Sequence, residues 1–366
     1  MLDRFEPRVA PDVVQRQRLF SILDEQHQTP CILVTGQAAQ GKTTLVASYL
    51  KKNQLPAAWI HMVSDNQEHG VLFHRIVKAV MHCIDSGARQ DVQNLKTLTD
   101  LESAVPSSVL GTQEGLLRCK DALNKLFSEL SQTVILVFDD LERLDENSSG
   151  FELLSWLITS RHDCLKLYLL SRQKPGFNLG PMIMNRSLFS LTNDILGFTL
   201  PETRDFFGSL SDLEARDIEQ IHKITAGWAG GLILISESFR QINPVELPQQ
   251  LTEDVFTYFS QEIYQLLPSA IKHFLQQTAV LEMIRVDILE TLMDDVDVMP
   301  VLLELENRHL FIQRIDGHSG APVFKYHHLF REFLIQDLLA EKGRDYLDLL
   351  NRKIGLIFWE LKEHES

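Results

Sequence analysis

The sequence predicts an α/β domain with a parallel sheet, then an α-helical domain, then a winged-helix domain. Three observations predict this order. First, apolar runs of strand length at 31–34, 57–63, 134–138 and 165–170 alternate with helix-period segments as far as about residue 198. That alternation is the mark of crossover units in a parallel sheet covered by helices. Second, Gly36-Gln37-Ala38-Ala39-Gln40-Gly41-Lys42-Thr43 stands between the first run and a periodic segment through Leu45, Val46, Tyr49 and Leu50. This is GxxxxGK[ST] in the strand-to-helix context that a phosphate-binding loop needs, the fold signature of a P-loop NTPase. Third, the chain turns helical beyond Pro201 and reaches a strand pair, 310–315 and 323–327, around a turn at 316–320. Three helices followed by such a hairpin form a winged-helix arrangement.

Taken in order, an extended arm leads to a helix over 12–26 that Pro30 ends before the first strand. After the phosphate loop come a strand at 57–63 and a helix over 71–84 with Leu72, Ile76, Val77 and Val80 inward. Residues 85–114 are polar, without a firm period, and read as a long connection. A helix over 115–130 precedes the most apolar strand, which ends in Asp139-Asp140. Helix 151–158, strand 165–170 and a last short strand near 195–198 complete the sheet. Thr199 caps a helix opened by Pro201-Glu202, and helices at 212–225 and 230–239 follow, with 243–248 as a linker. Further helices are expected at 252–266, 269–277, 287–293, 299–307, 328–339 and 345–360. The expected domains are 1–198, nucleotide-binding; 199–248, helical; 249–341, winged helix; and 342–366, the start of a helical arm.

Composition narrows the function classes. The apolar and charged fractions, 44% and 23%, are those of an ordinary globular chain. No apolar run approaches a membrane span, and the first residues, MLDRFEPRVAP, lack the apolar core of a signal peptide. Four scattered cysteines without CxxC spacing read as reduced, packed thiols, so a cytoplasmic chain with no membrane partner is expected. A net charge of −15 without a long Lys/Arg run argues against these residues gripping DNA themselves.

The chemistry gathers at strand ends, where ligands sit in open parallel sheets. Gly36, Gln40, Gly41, Lys42, Thr43 and Thr44 are the loop's candidates for binding ATP or ADP. Glycines let backbone N–H groups turn toward phosphate, and the following helix adds its positive end. Lys42 would reach the β- and γ-phosphates, and the Thr43 hydroxyl would hold Mg²⁺. Asp139 either completes the Mg²⁺ shell or caps the next helix. Asp140 either acts as a general base on water or is an N-cap for 141–144. Arg172 either senses the γ-phosphate or is a surface arginine in a turn. His327 and His328 precede an apolar helix, where packing or capping is the plainer role. No third ligand stands at zinc spacing, and no Ser/His/Asp or Cys/His nucleophile arrangement stands out.

The order GQAAQGKTT, AAWIHMV, VILVFDDLERL, LYLLSRQKP, GFTLPETRDFF, GWAGGLILI, RHLFIQRI and KYHHLFREFL resembles the signal-transducing STAND ATPases. The similarity is to the MalT-like branch of the LuxR-type transcriptional activators, and it covers almost the whole chain. It implies a nucleotide-binding, a helical and a winged-helix domain that clamp ADP in a closed resting state. Inducer binding to a helical-repeat sensor then lets ATP replace ADP and drives self-oligomerisation, while a helix-turn-helix outside this chain binds DNA. The resemblance further implies that Asp139 and Asp140 form the Walker B pair and Arg172 is the sensor arginine. By the same resemblance His327 contacts the β-phosphate of ADP, and Gly227-Trp228-Ala229 matches a Gly-x-Pro segment, with Ala229 where the family has proline.

The function so implied is an ATP/ADP switch with slow hydrolysis, at the core of a transcriptional regulator. The sensor and helix-turn-helix are expected in a longer regulator of which this chain is a fragment, or are lacking from this member. The alternative is a STAND signalling or defence scaffold whose effector does not bind DNA. A motor ATPase acting on nucleic acid fits poorly, since it would want a basic channel and an arginine finger supplied in trans.

Overall fold

The computed structural model describes residues 7, 13–86, 111–130, 132–160, 162–208, 213–241, 247–293, 296–315 and 322–364. The chain divides into two compact units. One holds residues 1–36 and 41–196, the other residues 37–40 and 197–366.

The first unit is built on a five-stranded sheet of β1 (Cys31–Thr35), β2 (Ala57–His61), β3 (Val134–Asp139), β4 (Leu165–Ser171) and β5 (Leu188–Leu191), in the order β2-β3-β4-β1-β5. Every pairing is parallel. The central strands are apolar throughout because both faces are covered. Alternate side chains serve opposite layers, as strand geometry requires. Val134, Leu136 and Phe138 face a core closed by helices His69–Ser86, Gln113–Glu129 and Ser149–Thr159. Ile135 and Val137 face the other core, against helices Gln17–Glu25 and Lys42–Lys52. β1 lies between β4 and β5, while the chain leaving it returns as β2 at the sheet's edge. The resulting crevice at the strands' carboxyl ends receives Thr35, Asp139 and Ser171.

Two expectations in this unit need correction. The last strand is Leu188–Leu191, and residues Asn193–Leu196 form a helical turn. The carbonyls of Ile195 and Leu196 accept from the Arg18 and Arg16 guanidinium groups, not from a neighbouring strand. The first helix is also shorter than 12–26, covering Gln17–Glu25, since the buried Arg16 stands at its N-cap with its side chain committed to Leu196. The connection expected over 85–114 lies largely outside the described residues. All four cysteines are free thiols, three of them buried.

The second unit opens with helices Leu200–Phe207, Ala215–Thr225 and Ala229–Gln241 around Phe207, Ile218, Ile221, Leu232 and Ile235. Thr199 caps the first of these in a full capping box with Glu202. Gly227 between the second and third has φ +74, and a Cβ there would stand 2.2 Å from the Phe198 carbonyl oxygen. Only glycine tolerates both the left-handed backbone and that approach. Residues 247–248, read as linker, instead begin helix Leu247–Glu262, where Pro248 falls in the donor-free first turn.

Helices Ser269–Thr278, Val286–Leu292 and Val298–Asn307 then precede the antiparallel pair β7 (Ile312–Ile315) and β8 (Val323–Tyr326). A two-residue strand, β6 (Ile284–Arg285), adds to β8 and completes a sheet ordered β6-β8-β7. The turn at 316–320 lies outside the described residues. Helices His328–Lys342 and Arg344–His364 follow. Phe259, Phe311, Phe330 and Phe333 interlock in this unit's core. No helix among the described residues is long and apolar enough to cross a membrane.

Candidate nucleotide-binding site

β1 delivers the chain to the crevice, and the Gly36 N–H donates to the Ser171 carbonyl at the end of β4. Gly41 takes a left-handed φ of 88 at the N-cap of helix Lys42–Lys52, where the loop must reverse into the helix. Lys42, Thr43 and Thr44 make up that helix's first turn, whose N–H groups have no partner within the helix. The Lys42 ammonium is buried and donates to the Gly36 carbonyl at 2.7 Å, folding back over its own loop. Burial pushes its pKa down to about 8 against the opposing charges of Glu142, Asp139 and Asp140; the Arg172 cation pushes it further down.

Thr43 and Asp139 meet directly. The Thr43 hydroxyl lies 3.1 and 2.9 Å from the two carboxylate oxygens of Asp139, which is 2% exposed. The His61 Nδ1 stands 3.4 Å from the same Asp139 Oδ2 that lies nearer Thr43, brought there by the β2–β3 register that pairs His61 with Asp139. Burial, then the neighbouring Asp140, raises the Asp139 pKa, while Thr43 and His61 hold it back. A buried carboxylate beside a hydroxyl supplies hard oxygen donors that suit Mg²⁺. Among the described residues no cluster of three or more His, Cys, Asp or Glu could hold a metal. Thr43 and Asp139 are the residues that would hold Mg²⁺ here.

Asp140 takes a left-handed conformation, φ 60 and ψ 42, at the head of a 3₁₀ turn, Leu141–Arg143. Its side chain makes no capping hydrogen bond; its charged neighbour is Arg143, 3.8 Å away on the surface. Arg172 follows β4 and forms a 3.0 Å ion pair with Glu142, a residue that sequence reasoning passed over. The second Glu142 oxygen accepts the Arg172 backbone N–H at 2.9 Å. The available signal was a third acid in the Asp-Asp-Leu-Glu stretch at the end of β3. His61 was likewise read only as part of a strand.

Residues 37–40 at the tip of the loop group with the second unit. There the Gln37 side-chain amide donates to the Gln40 side-chain oxygen at 3.2 Å, and both residues are buried. The Trp228 indole N–H donates to the Ala38 carbonyl at 2.9 Å. Trp228 is fully buried, stacks on Phe259 with centroids 5.3 Å apart and meets Phe311 edge-on.

His327 stands at the N-cap of helix His328–Lys342 without capping it through its side chain. Its Nε2–H donates to the Thr225 carbonyl at 2.8 Å, which fixes the tautomer and leaves a buried Nδ1 with no hydrogen-bond partner among the described residues. Burial lowers its pKa, against the hydrogen bond to Thr225, and the nearby His328 lowers it a little more. His328 is largely exposed beside Glu332.

A family model of the AAA ATPase domain matches residues 14–170, and a model of the MalT winged helix domain matches residues 260–346. The chain joins an AAA ATPase domain to a MalT winged-helix domain. It is 22% identical over 349 residues to the HTH-type transcriptional regulator MalT of Vibrio campbellii, covering 92% of this chain and 36% of that protein. To MalT of Klebsiella pneumoniae (strain 342) it is 25% identical over 340 residues, covering 88% and 35%. The chain thus spans about a third of the length of the curated relatives it matches. Among solved structures, the Walker-type ATPase of Pyrococcus abyssi is similar in fold, with a TM-score of 0.59 and 17% identity over 91% of this chain and 99% of that one. The AAA ATPase domain contains the phosphate loop, Asp139, Asp140 and Glu142; the MalT winged-helix domain contains His327. An AAA ATPase domain binds a nucleoside triphosphate, usually with Mg²⁺.

Proposed function

We propose that this chain is the ATP/ADP switch of a MalT-like transcriptional regulator, resting with ADP and self-assembling with ATP. The observation that carries the reading is the direct Thr43–Asp139 contact beside a buried Lys42 that is satisfied by its own loop. That set has the donors for Mg²⁺ and an ammonium that phosphate can recruit. Thr43 and Asp139 would hold Mg²⁺, which when bound would neutralise phosphate charge. Lys42 and the first-turn N–H groups of Thr43 and Thr44 would hold the phosphates, and Gly36, Gln40 and Gly41 would shape the loop around them. Arg172 reads the γ-phosphate. Asp140 takes a proton from the attacking water; being shorter than glutamate, it makes slow turnover the expectation.

His327 contacts the ADP β-phosphate in the resting state. With Nε2–H held by Thr225, Nδ1 offers a proton only as imidazolium, which a phosphate anion favours and burial opposes. The working parts on this reading are residues 1–198, 199–248, 249–341 and an arm from 342. On this reading an inducer and DNA would be reached only through domains outside this chain.

The test is the nucleotide content of the purified protein, read by chromatography after denaturation. ADP near one equivalent is expected; protein that carries no nucleotide and binds neither ADP nor ATP would sink the reading. His327→Ala should speed ADP release several-fold, on the scale of one lost charge-assisted hydrogen bond. An unchanged off-rate removes that role from His327.

A further inference from the structure

Glu142 is the charged side chain of the crevice to which no role has yet been given. Its carboxylate is divided between two tasks. One oxygen forms the 3.0 Å ion pair with Arg172 Nε, and the other accepts the Arg172 backbone N–H at 2.9 Å and faces the buried Ser171 hydroxyl at 3.5 Å. A carboxylate that grips an arginine through its fork occupies the terminal guanidinium nitrogens. Here Glu142 holds the stem side, and the terminal nitrogens of Arg172 make no hydrogen bond among the described residues. The Glu142 side chain is 16% exposed and that of Arg172 38%, so the acid is the anchored partner and the guanidinium tip is the accessible one.

The same group of charges includes Lys42. Glu142 is the strongest of the charges acting on the Lys42 ammonium, and Arg172 acts on it with the opposite sign. Two cations close enough to repel one another share Glu142 as a counter-charge, beside Asp139 and Asp140. An incoming phosphate would satisfy both, and the terminal nitrogens of Arg172 are already free to meet it.

We propose that Glu142 is a positioning residue that aims Arg172 and so sets the preference of the site for a nucleoside triphosphate over a diphosphate. The proposal rests on the reading of Arg172 as the γ-phosphate sensor. Glu142 itself touches no phosphate. It fixes both ends of Arg172, backbone and Nε, so that the guanidinium enters the complex without first being ordered, which is the cost that preorganisation removes.

The test measures Kd for ADP and for a non-hydrolysable ATP analogue with Mg²⁺, on the full chain. The proteins are wild type, Arg172→Ala, Glu142→Ala, Glu142→Gln and the double variant Glu142→Ala/Arg172→Ala. Arg172→Ala is expected to weaken the triphosphate roughly 10-fold or more while changing ADP little, the scale of a charge-assisted hydrogen bond. Glu142→Ala should reproduce most of that selective loss, and the double variant should be no worse than Arg172→Ala, because the two residues act as one unit. Glu142→Gln keeps one acceptor and should lose less than Glu142→Ala; if the alanine variant fails to fold, the glutamine variant carries the test by its triphosphate-to-diphosphate ratio.

Additive losses in the double variant, equal losses of ADP and triphosphate, or an unchanged ratio in both Glu142 variants would each overturn the proposal. If Arg172→Ala leaves the ratio unchanged, the sensor reading fails and the role of Glu142 falls with it. If Arg172→Ala lowers the ratio and the Glu142 variants do not, the role of Glu142 fails alone.

Discussion

Lys42 is held at an energetic disadvantage in the folded chain. An ammonium that is 8% exposed donates to the Gly36 carbonyl, and its pKa of about 8 lies below the ordinary 10.5. A lysine depressed in this way opposes folding while it is charged. The penalty is fully present below about pH 8 and fades as the pH climbs from there to 10.5, where the unfolded lysine also becomes neutral. Lys42→Met should therefore raise stability by roughly 1–2 kcal/mol at pH 7, after subtracting the lost hydrogen bond. The same variant should abolish tight nucleotide binding. Denaturant melts at pH 7 and pH 10.5 check both the gain and its disappearance; a loss of stability at pH 7 contradicts it. Strained or poorly solvated groups are kept where function needs them, and Lys42 fits that pattern in advance of any ligand.

At the scale of elements, three connections each depend on one or two residues. The β1-to-helix loop depends on Gly41, since a left-handed N-cap is costly for residues with a side chain. Helix Leu200–Phe207 depends on Thr199 and Glu202, which together satisfy two otherwise orphaned backbone donors. The segment between helices Ala215–Thr225 and Ala229–Gln241 depends on Gly227 for its backbone and on Trp228 for its packing. Trp228 does two jobs, burying an indole against Phe259 and Phe311 and donating to the Ala38 carbonyl. Trp228→Phe keeps most of the apolar area and removes the donor. It should cost about 1–3 kcal/mol, the range for leaving a buried partner unsatisfied. Trp228→Ala, which adds a cavity, should cost about 3–5 kcal/mol. Equilibrium unfolding in urea separates the two, and a neutral Phe variant would show that the hydrogen bond contributes little.

At the scale of the whole molecule, the metal and the nucleotide are expected to be linked. Among the described residues, Thr43 and Asp139 would offer Mg²⁺ one buried carboxylate and one hydroxyl, too few ligands for a site of its own. Titration calorimetry should detect no tight Mg²⁺ binding without nucleotide. ATP with Mg²⁺ should raise the melting temperature more than ATP with a chelator does. At 100 times its Kd a ligand specific for the folded state adds about 2.7 kcal/mol. Equal shifts with and without Mg²⁺ would mean that Thr43 and Asp139 do not take part in metal binding.

Much of this molecule could be read before its structure. A phosphate loop is a local device: glycine at the reversal, a strand before it and a helix after it are requirements met within 20 residues of chain (~30 Å of helix at most), so pattern suffices. The parallel sheet was legible for a similar reason, because strands buried on both faces must be apolar at every position. What pattern could not supply is the identity of partners far apart in the chain. Thr43 and Asp139 are 96 residues apart, His327 and Thr225 are 102 apart, and Trp228 and Ala38 are 190 apart. β6 escaped notice because two residues have no period; their hydrogen bonds come from β8. The short strand near 195–198 was misplaced because carbonyls that need partners can find arginines as well as strands. Local chemistry thus pointed to a nucleotide site. Register and packing established that Glu142 anchors Arg172, since the end of β3 meets the end of β4 only when the sheet has formed.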